Sequence, residues 1–283
     1  MNILTNAQMR AADDYTINVK GVPAQILMER AGNAIAERAI QIHNGGRVLV
    51  VCGGGNNGGD GFICGRILRQ KGIAVDVVCI AERFSEDCQI AMEKYRGLGG
   101  VIENEFPQKQ YSLIIDCLLG TGFRGELSQT YKNAISQING YKARGAKILS
   151  ADIPSGVNGD NGRVEKIAVQ ADVTVCIGEY KAGVFLGHGI DFAGEIVRAD
   201  IGIVLPESGY AQLTKSEDIK ALLPKRRRNS NKGTYGRAAI VAGSLAYTGA
   251  AYLSTAACLR SGAGYTTLFT PSGILSHYVL AMP

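Results

Sequence analysis

No two of the seven cysteines (Cys52, Cys64, Cys79, Cys88, Cys117, Cys176 and Cys258) are spaced as C-x-x-C, and their number is odd. That excludes a disulfide framework and a clustered zinc site, and it fits a reducing, cytoplasmic compartment. Nowhere does an apolar run reach the roughly 18 residues that would span a bilayer. The start, MNILTNAQMRAADDY, also lacks a basic region followed by an apolar core, so neither a membrane partner nor export is expected. Basic residues are hardly gathered: the only dense run is Lys225, Arg226, Arg227 and Arg228, and the net charge of +5 is modest. A nucleic-acid partner is not expected from such a surface, and the run reads as a solvated linker. No segment repeats with the period of about 20 to 50 residues that marks a solenoid.

Glycine, by contrast, is abundant, with 37 residues clustered in short loops between apolar runs rather than in low-complexity tracts. Such loops serve where the backbone needs positive φ or close approach to a ligand. A hydrophobic share of 46% and a charged share of 19% indicate a globular chain, and 283 residues exceed one compact domain. Thr5 and Gln8 have capping-box spacing, and Leu27, Ala31, Ala34, Ile35 and Ile42 recur at helical intervals after Pro23. Two helices are therefore expected to lead. Apolar or β-branched runs follow at 48–52, 74–80, 113–115, 146–149, 173–177 and 196–204. Helical segments at about 59–70, 85–97 and 128–138 separate several of them. This alternation predicts an α/β fold, a doubly wound, mostly parallel sheet of Rossmann-like type. A polar stretch at 214–223, Pro224 and the basic run then separate domain 1–215 from 216–283. In the second domain a β-loop-α-β pattern restarts over 238–269.

Three constellations carry chemistry. GGGNNGGDG (Gly53 to Gly61) follows the first strand of the main series, where free amides and a helix N-terminus attract phosphate. It contains G-x-G-x-x-G, with Glu82 lying 24 residues beyond Gly58, so an NAD(P)-dependent oxidoreductase is one alternative. A non-catalytic dinucleotide-binding scaffold is another. The second constellation is DCLLGTGFRGE (Asp116 to Glu126) and the third DIPSG (Asp152 to Gly156). Asp60, Asp116 and Asp152 are thus expected outside the carboxyl ends of strands, where ligands bind in open parallel sheets. Three carboxylates beside an anionic ligand require a proton or a cation among them. The oxygens of Asn57, Asp116 and Ser155 suit an alkali or alkaline-earth ion rather than zinc, copper or iron. His43, His188 and His277 lie outside these motifs and read as surface or structural residues. Lys181, in GEYKAG, follows an expected strand end; it could offer a cation to the ligand, but the favoured reading is a solvated lysine.

GGGNNGGDG, DCLLGTGFRGE and SADIPSGVNGD, in this order and spacing, resemble the three binding motifs of the NAD(P)H-hydrate epimerase family, over roughly residues 1–215. The resemblance implies epimerisation of the S and R forms of NADH hydrate and NADPH hydrate, and compatibility with a homo-oligomer. It implies substrate binding by Asn56, Asn57, Gly58, Gly59, Asp60, Gly120, Thr121, Gly122, Phe123, Arg124, Gly125, Glu126 and Asp152. Potassium would be held by Asn57, Asp116 and Ser155, and Asp152 would be the catalytic group. Residues 225–283, carrying NKGTYGRAAIVAGSLAYTGAAYLSTAACLRSGAG, resemble the opening of the ribokinase-like NAD(P)H-hydrate dehydratase domain, as in the bifunctional NAD(P)H-hydrate repair enzymes. The later glycine-aspartate motif of that domain is not among them. The expectation is an incomplete lyase portion, with ADP or ATP needed only by a complete one, and first proteolytic cleavage between about Thr214 and Gly236.

Overall fold

The computed structural model describes residues 1–123 and 125–279. The chain divides into two compact units, Met1–Thr214 and a second that begins at Lys215. The first unit opens with β1 (Asn2–Leu4), α1 (Asn6–Asn18), α2 (Ala24–Ile42), β2 (Val48–Cys52), α3 (Asn56–Gln70), β3 (Val75–Cys79), α4 (Glu86–Gly97) and β4 (Ile102–Glu103). It continues with β5 (Leu113–Cys117), α5 (Gln129–Ala143), β6 (Lys147–Ala151), β7 (Val173–Ile177), β8 (Tyr180–Lys181), α6 (Gly189–Phe192), β9 (Glu195–Ala199) and β10 (Ala211–Gln212). The Thr5–Gln8 capping box starts α1, with Gln8 N–H donating to Thr5 Oγ1 and Thr5 N–H to Gln8 Oε1.

Seven strands form one parallel sheet in the order β4-β3-β2-β5-β6-β7-β9. The runs VLVVC, LIIDC and VTVCI are buried at every position, so both faces of the sheet need cover. Val48, Val50 and Cys52 pack with Leu27 and Ile35 of α2 and Phe62 and Ile63 of α3. On the opposite face Leu49 and Val51 join Ile114 and Ile148 against Ala134, Ile135 and Ile138 of α5. The sheet is doubly wound, as the sequence pattern predicts.

The strand order places the site. From β2 the chain moves outward through β3 to β4, and then returns to β5 on the other side of β2 and proceeds outward through β6, β7 and β9. The loops leaving β2 and β5 therefore diverge at the topological switch point, where open α/β sheets leave a crevice. These are the loops that carry GGGNNGGDG and DCLLGTGFRGE.

Some elements differ from expectation. The last long strand ends at Ala199 rather than near residue 204; directly after it Asp200 Oδ1 accepts from Gly202 N–H at 3.0 Å, and Gly202 adopts positive φ. A small sheet in the order β10-β1-β8 was not legible, since strands of two or three residues show no periodicity. In it β1 runs parallel to β8, pairing Leu4 with Lys181.

The second unit contains α7 (Ser216–Leu222), β11 (Arg237–Val241), α8 (Thr248–Ser261), β12 (Tyr265–Phe269) and α9 (Leu275–Val279). β11 and β12 pair in parallel over five residue pairs. Its apolar cluster is small, with Ala251, Ile274 and Tyr278 buried, while Val241 is 83% exposed.

Candidate active site

GGGNNGGDG is less of a loop than its composition suggests. Helix α3 already begins at Asn56, after Gly55 as N-cap, and no residue from Gly53 to Gly61 has positive φ. The glycines are needed because other atoms come close. A Cβ at Gly53 would lie 2.0 Å from the Leu118 carbonyl oxygen, and one at Gly58 would lie 1.9 Å from that of Gly53. At Gly59 it would meet Met28 at 2.7 Å, and at Gly61 Cys117 at 2.7 Å. The first turns of α3 are thus pressed against α2 and the ends of β2 and β5. Gly55 and Gly122 are different, since a Cβ there would meet nothing within 4 Å.

These open positions border a cavity of about 630 Å³, within the usual range of roughly 300 to 1,000 Å³ for small-molecule sites. Asn56, Asn57, Asp60, Gly120, Thr121, Gly122, Phe123 and Asp152 line it together. Gly125 and Glu126 line a second, smaller cavity instead. Gly58 and Gly59 face protein, as their contacts show. Arg124 lies outside the described residues.

Asp152 directly follows β6 and is the single non-glycine with positive φ among the described residues, at 69°. Such a conformation costs about 1 to 3 kcal/mol and persists only where its surroundings impose it. Here its N–H donates to the Val175 carbonyl at 2.8 Å. Its Oδ2 accepts from Thr121 N–H at 3.2 Å and its Oδ1 from Ile177 N–H at 3.4 Å. Lys181 Nζ ion-pairs with Oδ1 and donates to the Ile177 carbonyl. Lys181 is 1% exposed, so the expectation of a solvated lysine is wrong. Pairing between β8 and β1 holds Lys181 beneath the site, and that pairing leaves no mark in a two-residue strand.

Asp13, Asp14, Asp60 and Asp87 border the same cavity. Burial, reinforced by the charge of Asp152, holds the Asp60 carboxyl well above the ordinary carboxylate range, with Lys181 opposing and Asp13 adding to the rise. Asp60 is the fifth residue of α3, too far along the helix to cap it. Asp13 of α1 is raised from 3.8 to about 6, chiefly by burial, with Lys181 opposing and Asp152 and Asp14 adding. A carboxyl that binds its proton more tightly folded than unfolded reduces stability as pH rises through this window. Asp13→Asn is therefore expected to stabilise the fold above about pH 6, by on the order of 2 kcal/mol. The gain should fade as pH falls toward 4. Thermal melts across pH 4 to 8 check this, and a gain independent of pH would contradict it.

Asp116 and Ser155 lie beneath the cavity. The Asp116 carboxylate is 0% exposed. It accepts from Ser155 Oγ (2.6 Å), Ser155 N–H (2.9 Å), Ser150 Oγ (2.9 Å) and Leu118 N–H (3.2 Å). Burial raises its pKa, and these hydrogen bonds oppose the rise. Among the described residues no cationic side chain pairs with it. The side-chain oxygen and nitrogen of Asn57 are buried without a hydrogen-bond partner. A Cβ at Gly120 would lie 3.1 Å from Asp152 Oδ2 and 3.3 Å from Asn57 Cβ, so the β5 loop passes between the two residues.

Sequence reasoning also missed Arg10 and Asp13 on α1 and Tyr131 on α5, all of which line the cavity. Met9, Asp13 and Ile17 recur every four residues and border it together. That spacing puts one face of α1 between the core, which Met9 enters and Ile17 packs against, and the cavity, which Asp13 borders. The three histidines lie outside the lining of this cavity.

The family model described as "YjeF-related protein N-terminus" matches residues 24–183. The chain belongs to this family. Its site residues from Asn56 to Lys181 fall inside the matched segment, whereas Asp13 precedes it. Among curated relatives, the bifunctional NAD(P)H-hydrate repair enzyme Nnr of Methanothermobacter thermautotrophicus is 37% identical over 92% of this chain and 51% of its own length. The enzyme of the same name from Moorella thermoacetica is 33% identical over 100% and 56%. The chain spans about half the length of the curated relatives it matches. A solved structure, that of the yeast protein YNL200c, shares the fold at a TM-score of 0.60 and 20% identity, covering 70% of this chain and 87% of its own. No described helix is long and apolar enough to cross a membrane.

Proposed function

We propose that the first unit interconverts the S and R forms of hydrated NADH and NADPH, a repair step for damaged nicotinamide dinucleotides. The observation that carries this reading is the buried Asp152–Lys181 ion pair, fixed by an unusual backbone conformation at the wall of the switch-point cavity. The relatives named for NAD(P)H-hydrate repair support the substrate. In the hydrated ring the hydroxyl sits on a carbon bonded to the ring nitrogen. Its configuration is lost either when water leaves and returns or when the ring opens and recloses.

A carboxylate paired with an ammonium acts as a proton acceptor. Asp152 would take the hydroxyl proton as the carbon–nitrogen bond breaks, with the electron pair passing to the ring nitrogen and an aldehyde forming. Closure on the opposite face would return the proton. Lys181 orients the carboxylate and balances its charge through both steps. Chiral chromatography of a single hydrate epimer incubated with the chain tests the proposal: exchange well above the uncatalysed rate is expected. Exchange at the background rate would sink it. The second unit is read as belonging to the ADP- or ATP-dependent dehydratase portion.

The residues present fit a potassium ion. Asn57 offers an orphaned buried amide oxygen, Asp116 a buried charge without a cationic partner, and Ser155 a hydroxyl whose proton is already given to Asp116. Hard oxygens with so little charge suit a weakly demanding cation better than magnesium. When bound, such an ion supplies positive charge against Asp116 and an anionic ligand. Replacing potassium by tetramethylammonium should weaken hydrate binding in calorimetric titrations. Equal affinity in the two salts would remove the site.

A further inference from the structure

Ring opening needs a proton that Asp152 does not supply. As the carbon–nitrogen bond breaks, its electron pair makes the ring nitrogen a base, while Asp152 is receiving the hydroxyl proton. Helix α1 brings a second carboxyl to the cavity, the half-buried Asp13. Arg10 and Asp14 of α1, Asp60 of α3, Asp87 of α4, Asp152 after β6 and Lys181 of β8 are the other charged groups on the wall. Five carboxyls therefore face two cations there, and both cations are engaged elsewhere. Lys181 pairs with Asp152, and Arg10 Nη1 donates to the Thr121 carbonyl at 3.4 Å. Among the described residues no cation forms an ion pair with Asp13. Tyr131 of α5 also lines the cavity, and burial holds its phenol above the ordinary range, so it stays neutral. An anionic dinucleotide adds to the excess of negative charge, which favours a proton on one of the carboxyls. Asp60 holds its proton too tightly to exchange it readily, whereas Asp13, raised by burial to about 6, gains and loses one near neutral pH, as an effective acid must.

We propose that Asp13 is the acid that works with Asp152, giving its proton to the ring nitrogen as the carbon–nitrogen bond breaks and taking it back as the ring closes. This rests on the epimerase reading above, in its ring-opening form. In opening, the hydroxyl proton passes to Asp152, the aldehyde C=O forms, the bonding pair goes to the nitrogen, and the Asp13 proton completes an N–H bond. In closure on the opposite face, the nitrogen attacks the aldehyde carbon and returns its proton to Asp13, while the oxygen regains one from Asp152. Protons and electrons balance over the cycle, and no co-reactant enters. The two carboxyls reach the cavity from separate elements, the first helix and the end of β6, so they can address two atoms of one ring together.

Asp13→Asn in the full chain separates proton donation from binding. Exchange at saturating hydrate should fall by about 10² or more, with hydrate affinity kept within about threefold. The same variant is expected to be more stable than wild type above about pH 6, so thermal melts distinguish a lost acid from a damaged fold. The pH profile gives a second readout. After subtraction of uncatalysed exchange, the wild-type rate should fall about tenfold per pH unit above the pKa of Asp13, which a bound anion displaces upward from about 6. Asp13→Glu should keep this falling limb and Asp13→Asn should lose it. Calorimetric titration of hydrate at pH 7, in buffers of different ionisation enthalpy, should show uptake of up to about one proton by the wild type and less by Asp13→Asn. Exchange within about threefold of wild type in Asp13→Asn, a falling limb that persists in it, or equal proton uptake by the two chains would each overturn the acid role and leave the epimerase reading standing. Wild-type chain that exchanges no epimers would defeat the epimerase reading, and the acid role with it.

Discussion

Asp152→Asn is expected to slow epimer exchange by about 10² to 10⁴, or roughly 3 to 5 kcal/mol of barrier, while leaving dinucleotide binding largely intact. Asparagine suits the test for two reasons. It is among the few side chains that tolerate the left-handed backbone found at this position. Its amide oxygen can also still accept from Thr121 N–H. What it cannot do is take and return a proton. Rates are compared at saturating hydrate after subtracting uncatalysed exchange, and affinities are measured by titration. Asp60→Asn is the control. Its carboxyl is held toward the protonated form, so the neutral amide changes little in charge, and the variant should chiefly weaken binding through altered hydrogen bonding at the cavity wall. Near-normal exchange in Asp152→Asn, with exchange abolished and binding kept in Asp60→Asn, would reverse the two roles.

The parts of this molecule legible in its sequence are those whose physics is local or periodic. Runs such as VLVVC and VTVCI announce strands buried on both faces, and their alternation with amphipathic segments announces a parallel sheet. The three motifs were legible because each follows such a strand directly. GGGNNGGDG misled in one respect. Its glycines read as a phosphate loop, but five residues of it already belong to α3 by Asp60, where small residues are required by Gly53 and Met28. Nothing in the local text distinguishes closeness to a ligand from closeness to the protein itself. Lys181 was read as solvated, and Asp13 was missed, for another reason. One is brought in by a three-residue N-terminal strand and the other by the helix that follows it, so both depend on chain segments about 175 residues apart in sequence, from Leu4 to Lys181, meeting in space. A lysine after a strand is ordinarily solvated; here a carboxylate beside it reverses that preference.

Lys181→Met should strongly destabilise the first unit, because it removes one partner of a buried ion pair and leaves the other without a cation. Methionine has nearly the same length and fills the space, so packing is little changed and the effect isolates charge. Breaking such a pair costs about 3 to 5 kcal/mol. At roughly 2 to 4 °C per kcal/mol for a unit of this size, the melting temperature should fall by on the order of 10 °C. Exchange activity should fall with it, since Asp152 loses the group that orients it. Loss of activity alone could follow from a damaged fold, so the decisive measurement is the double variant Asp152→Asn/Lys181→Met. With neither charge present there is no unpaired ion to bury. If the pair acts as one unit, the double variant is more stable than Lys181→Met alone, and the two single effects fail to add by more than about 1 kcal/mol. Additive losses would mean that Lys181 serves the fold independently of Asp152, and that the ion pair has no part in holding the carboxylate at the cavity.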